Sequence, residues 1–88
     1  MRIQRILYTP QFKENWRKLS SRVKKKAVRQ EKLFRQDVFH PSLLTHKLSG
    51  KLANYWSFSI DYHTRIVFRF LKEGEVLFVD VGTHEIYK

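Results

Sequence analysis

The sequence has no cysteine, which removes disulfide cross-links, thiolate zinc sites and a cysteine nucleophile together. Acidic residues are scarce: eight Asp and Glu stand against eighteen Lys and Arg, a formal charge of +10. Uninterrupted apolar runs are also missing near the N-terminus. Residues 1–10 alternate charged and apolar side chains and offer neither a signal-peptide core nor a bilayer span, so the chain is expected in the cytoplasm with no membrane partner. No HExxH spacing occurs and no carboxylate pair brackets two histidines, so neither a metal nor any other cofactor is expected. There is no repeat, linker or low-complexity tract. A length of 88 residues is too short to divide into two cores, so residues 1–88 read as a single domain.

What is present is apolar bulk and positive charge. Hydrophobic residues make up 42% of the chain and aromatics 15%, enough to order it, unlike a low-hydrophobicity disordered segment. The charge points to a polyanionic partner: RNA, DNA, an anionic membrane or an acidic protein all satisfy it. The excess is concentrated, since residues 13–35 hold ten basic and two acidic side chains. Lys24, Lys25 and Lys26 in that segment are candidate RNA contacts; a solvated helical face accounts for them equally well.

The periodicity predicts a β-α-α-β-β-β order. Arg2 to Tyr8 reads as a strand, closed by Thr9 as helix N-cap and Pro10 at the first helical position. Phe12, Trp16 and Leu19 fall on one helical stripe. Ser20 and Ser21 start a second helix reaching about Val38, with Val23, Ala27, Leu33, Phe34 and Val38 as its apolar face, and His40-Pro41 ends the hairpin. Residues 43–54 have no assignable period. Beyond them Trp56, Phe58 and Ile60, then Ile66, Phe68 and Phe70, alternate with polar or smaller residues, as in a β-hairpin. Val76 to Val81 is a nearly continuous apolar run, expected of a strand buried on both faces. The fold class is therefore α+β, an antiparallel-rich twisted sheet with a helical hairpin on one face.

If Trp56, Phe58, Ile60, Ile66, Phe68 and Phe70 face the helices, Ser57, Ser59, Arg65 and Arg69 face the other way, so two arginines line an open sheet surface. An arginine there can hold a phosphate bidentately and stabilise charge growing on it, or simply solubilise the face. Four histidines, His40, His46, His63 and His84, sit in expected loops or at strand ends, where a ring can exchange protons near neutral pH or be a bystander.

The segments Lys47-Leu48-Ser49-Gly50, Asn54-Tyr55-Trp56-Ser57, His63-Thr64-Arg65-Ile66-Val67-Phe68 and Val79-Asp80-Val81-Gly82-Thr83-His84 resemble, in order and spacing, the C-terminal half of RelE-type toxins of the RelE/ParE superfamily, most of all the YoeB and YafQ types. The resemblance implies a toxin that cuts mRNA, usually on the ribosome, without metal, by attack of the 2′-OH on the adjacent phosphate, and an acidic antitoxin that neutralises it. It implies that Arg65 contacts the scissile phosphate, that His84 and His46 are the acid/base pair, and that Tyr87 orients or stacks on the substrate. His63 falls near an aspartate of the YafQ type, and Lys47, Lys51, His63 and Arg69 are further candidate substrate contacts. Trp56 and Phe58 stand where RelE has lysines, and Ser59 where YafQ has a histidine. Two other functions remain on the same sequence: a ParE-like gyrase inhibitor, which shares the fold without the acid/base set, and a non-catalytic basic module that binds RNA or an acidic partner.

Overall fold

Thr9 separates the first strand from the first helix by using both ends of its hydroxyl. The oxygen accepts the Phe12 N–H at 3.0 Å, satisfying a helix-start donor, while the O–H donates to the Val79 carbonyl at 2.7 Å. Pro10 then occupies the first turn, where its missing N–H costs nothing. Ser20 repeats the device, accepting the Val23 N–H at 3.2 Å. The structure, a computed structural model, describes residues 1–83. In chain order it contains β1 (Arg5–Tyr8), α1 (Pro10–Arg17), α2 (Ser21–Gln36), a 3-10 turn (Pro41–Leu43), β2 (His46–Lys47), a second 3-10 turn (Gly50–Leu52), β3 (Trp56–Ser59), β4 (Thr64–Phe70) and β5 (Glu75–Thr83).

The five strands form one sheet in the order β1-β5-β4-β3-β2. β1 lies parallel to β5, whereas the other three pairings are antiparallel. The two helices cover one face, and the core sits between. Phe34 of α2 is its centre, fully buried, with its ring 4.5 Å from Phe58, 4.9 Å from Phe68 and 5.5 Å from Phe78. Edge-to-face and offset contacts of this kind add to the apolar area buried. The expected α+β architecture and the expected order of its longer elements are present.

Several boundaries differ from the sequence expectation. β1 begins at Arg5 because the residues before it bond outside the sheet: Ile3 N–H donates to the Arg35 carbonyl at 2.8 Å and Gln4 N–H to the Gly74 carbonyl at 2.8 Å. α2 stops at Gln36, since Asp37 is extended and Val38 turns back to donate to the Met1 carbonyl at 3.1 Å, keeping its side chain in the core. Residues 43–54 hold the last residue of the first 3-10 turn, a two-residue strand and the second 3-10 turn, elements too short to impose a period. The apolar run of β5 has a different origin from the one expected. Leu77 and Val79 are only half-buried; Val67 pairs with Asp80 and Phe68 with Phe78, so Val79 is an extra residue in the ladder. That bulge flips the alternation and lets both Phe78 and Val81 enter the core.

Candidate active site

The face of the sheet turned away from the helices is read directly from the ladders. His46 pairs with Ser57, Ser57 with Val67, and Val67 with Asp80, one row across four strands. In the next row Ser59 pairs with Arg65 and Arg65 with Gly82. Residues directly opposite one another project from the same face, so His46, Ser57, Ser59, Arg65 and Val67 share one surface. With strands about 4.8 Å apart, His46 lies two strand spacings, about 10 Å, from the β4 backbone. Both side chains are long enough to approach a ligand lying between them.

This surface is not open throughout, contrary to the expectation from alternation. Ser57, Ser59, Val67 and Asp80 are all buried, and of the arginines Arg65 is half-buried and only Arg69 exposed. Part of the reason is α1, which continues along the edge of β5 where β1 ends. Gln11 Nε2 donates to Asp80 Oδ2 at 2.8 Å and Asn15 Nδ2 to Asp80 Oδ1 at 2.7 Å, and the Val81 N–H adds a third bond at 2.8 Å. Among the described residues the Ser57 and Ser59 hydroxyls are buried without a hydrogen-bond partner. Arg69 places its guanidinium 5.6 Å from the centre of the Tyr55 ring, a cation–π contact.

The chemistry available to His46 follows from its neighbours. Leu44 adopts a left-handed conformation, φ 52°, unfavourable for a non-glycine residue. Its carbonyl lies 2.9 Å from His46 Nδ1. A carbonyl only accepts, so Nδ1 carries the proton, and in the neutral ring Nε2 keeps the lone pair. The exposed ring is thereby set up as a base at Nε2.

Arg65 is held differently. Its Nη1 donates to the Asp61 carbonyl at 2.7 Å, with a longer contact of 3.5 Å to the Thr64 carbonyl. Among the described residues no carboxylate pairs with it, and its Nη2 and Nε make no bond. A half-buried guanidinium with one edge fixed and the rest uncommitted is a site for an oxyanion. The turn that fixes it is built on Asp61, whose Oδ1 accepts the His63 N–H at 2.9 Å and the Thr64 N–H at 2.8 Å. Burial pushes the Asp61 carboxyl up, but those two amides and the charge of Lys26 outweigh it and hold it below the usual carboxylate value.

The remaining sequence candidates divide. His63 is at the exposed tip of this turn, its ring edge-on to Tyr62 at 5.0 Å. Lys47 pairs with Trp56, which puts it on the helix-facing side, opposite to His46. Lys51 is exposed on the second 3-10 turn. Lys24, Lys25 and Lys26 belong to α2, on the layer behind the sheet; only Lys26 comes near the site, lining an open cleft with Arg29, Gln30 and Asp61. His84 and Tyr87 lie outside the described residues. Asp61 and Leu44 were not found by sequence reasoning. The Asp61-Tyr62-His63-Thr64 stretch between two alternating runs is an Asx-turn signal, whereas nothing in the sequence marks Leu44 as left-handed.

A second feature lies on the helix side. Tyr8, Phe12, Trp16, Ala27, Val28 and Phe78 line an apolar groove of about 390 Å³ with Lys13, Arg17 and Glu31 at its rim. Tyr8 donates to Glu31 Oε2 at 3.3 Å, and burial followed by the Glu31 charge raises its pKa.

No family model matches the sequence, and no curated protein matches it. Solved structures do. The structure is similar to a YoeB/ParE toxin from Agrobacterium tumefaciens, with 20% identity, TM-score 0.77, and coverage of 92% of this chain and 99% of that one. It is similar to the DinJ-YafQ toxin-antitoxin complex from E. coli, at 17% identity, TM-score 0.74, covering 97% and 96%. It is also similar to the YoeB-YefM complex from Staphylococcus aureus, at 20% identity, TM-score 0.72, covering 96% and 99%. The described chain therefore has the fold of the RelE/ParE toxins. The likeness spans 92–97% of this chain and 96–99% of the other chains.

Proposed function

We propose that the protein is the toxin of a type II toxin-antitoxin system and acts as a metal-independent endoribonuclease on mRNA at the ribosome. The observation that carries this reading is the placement, on one sheet face, of a histidine and an arginine that, among the described residues, have Nε2 free to take a proton and no carboxylate partner, respectively. In the proposed reaction His46 Nε2 removes the proton of the ribose 2′-OH, and the 2′ oxygen forms a bond to phosphorus. The bond from phosphorus to the 5′ oxygen breaks, and His84 returns a proton to that oxygen. The products are a 2′,3′-cyclic phosphate and a 5′-hydroxyl. Arg65 stabilises the charge that builds on the phosphoryl oxygens, and Tyr87 orients the substrate.

One of the similar solved structures, DinJ-YafQ from E. coli, is a toxin-antitoxin complex. For this chain the proposed partner is an acidic antitoxin segment whose apolar side chains enter the groove between Phe12, Trp16 and Val28 while its carboxylates meet the basic rim. Cytoplasmic action fits a chain in which, among the described residues, no helix is long and apolar enough to cross a membrane.

Cleavage of mRNA on programmed ribosomes tests the enzymatic reading. His46→Ala and His84→Ala should each slow cutting by about 10²- to 10⁴-fold, and Arg65→Ala by about 3–4 kcal/mol in the barrier, with melting curves unchanged. Cutting at wild-type rate by all three folded variants overturns it. A supercoiling assay with DNA gyrase covers the alternative that the YoeB/ParE relative keeps in view: inhibition of gyrase without mRNA cleavage would replace the ribonuclease by a ParE-type toxin. Binding of RNA with neither activity would leave a basic binding module.

A further inference from the structure

We propose that Asp61 is the positioning residue of Arg65: its carboxylate folds the β3–β4 turn so that its own carbonyl grips one edge of the guanidinium and aims the other at substrate. The proposal rests on the reading of Arg65 as the phosphate contact.

Six hydrogen bonds meet at this turn, one of them the long 3.5 Å bond from Arg65 Nη1 to the Thr64 carbonyl. Asp61 Oδ1 accepts from His63 N at 2.9 Å and Thr64 N at 2.8 Å. The Thr64 carbonyl accepts from Ile60 N at 2.8 Å and Asp61 N at 3.4 Å. The Asp61 carbonyl accepts from Arg65 Nη1 at 2.7 Å. Without the carboxylate, two amide donors of the turn lose their acceptor, and the direction of the Asp61 carbonyl is no longer set. The turn is tied to the helix layer as well, because Gln30 Nε2 donates to the Ser59 carbonyl at 3.0 Å and Lys26 and Arg29 of α2 line the cleft beside Asp61. An arginine side chain otherwise loses many rotamers when it docks on a ligand. Fixing one Nη beforehand leaves Nη2 and Nε to meet a phosphate with less freedom to lose, the preorganisation that makes an oxyanion contact effective.

The Asp61 carbonyl belongs to the backbone, so the side chain is the part to vary. Asp61→Asn keeps an oxygen at the acceptor position and removes only the charge; Asp61→Ala removes the acceptor. Two readouts apply to each. In the protein alone, the Arg65 side-chain N–H resonances should show slow guanidinium rotation in the wild type and in Asp61→Asn, and fast averaging in Asp61→Ala. On programmed ribosomes, Asp61→Ala should lower kcat by about ten- to a hundred-fold with KM unchanged, Asp61→Asn should stay within about three-fold of wild type, and Asp61→Ala should add nothing to Arg65→Ala, as expected of coupled residues. An equal further loss in the Arg65→Ala background, or Asp61→Asn as slow as Asp61→Ala, overturns the proposal. Averaged Arg65 resonances in the wild type overturn it too. Should Arg65→Ala cut at wild-type rate, the fault lies with the role given to Arg65, and the resonance measurement still decides whether Asp61 holds it. Melting curves accompany both variants. If Asp61→Ala does not fold, the folded Asp61→Asn carries both readouts, and its loss of slow rotation overturns the proposal.

Discussion

At the scale of single residues, the site depends on small groups that fix larger ones. Leu44 gives up a comfortable backbone conformation and its carbonyl sets the tautomer of His46; Asp61 does the same for Arg65 through a turn. The Asp61 carboxylate has a testable signature. Because its pKa in the folded chain is below the ordinary value, it favours folding at any pH above the unfolded value, about 3.9, and this contribution is lost as pH falls through the folded value. The amide shifts of His63 and Thr64 should therefore titrate together with a midpoint below about 3.9. A midpoint at or above that value would show that the two amides do not stabilise the ionised form. Alternation put Arg65 on the correct face from sequence alone. The partner of Arg65 was not legible, because a backbone carbonyl carries no residue identity.

At the scale of elements, the aromatic positions of α2, β3 and β4 were legible because each repeats at the period of its own structure. Phe34, Phe58, Ile66 and Phe68 are all in the core. The bulge at Val79 and the strand at His46–Lys47 were not, since a single inserted residue and a two-residue ladder leave no period. That short strand decides where His46 points, so the part of the site hardest to read carries the proposed base. Docking of α1 against β5 is reinforced by one buried carboxylate, Asp80, that holds Gln11 and Asn15. Asp80→Ala should cost about 1–3 kcal/mol by orphaning those amides and should be measurable as a lower urea midpoint. A change below about 0.5 kcal/mol, the range of ordinary surface substitutions, would show that the network adds nothing to the docking.

At the scale of the whole molecule, the helix layer carries both most of the basic side chains and the apolar groove. The ten basic side chains of residues 13–35 spread over the helix layer. If Lys24, Lys25 and Lys26 each neutralise an RNA phosphate, changing all three to Gln should lower the slope of log affinity for ribosomes against log salt by about 2 to 3. An unchanged slope returns them to a solvated face. Val28 is half-exposed in the apolar groove, so Val28→Asp should leave the fold and mRNA cutting intact while weakening antitoxin binding by roughly ten-fold or more. Retained affinity would place the antitoxin elsewhere. The pairing of β1 with β5 has a consequence of another kind. Arg5 meets Glu75 and Tyr8 meets Phe78, so the strand translated first stays without its neighbour until nearly all the described chain has been made. Contacts so distant in sequence close late in folding. Arg65 sits against Gly82 of that same late strand. On the proposed function, a nascent chain therefore has no assembled cutting site until β5 has been made.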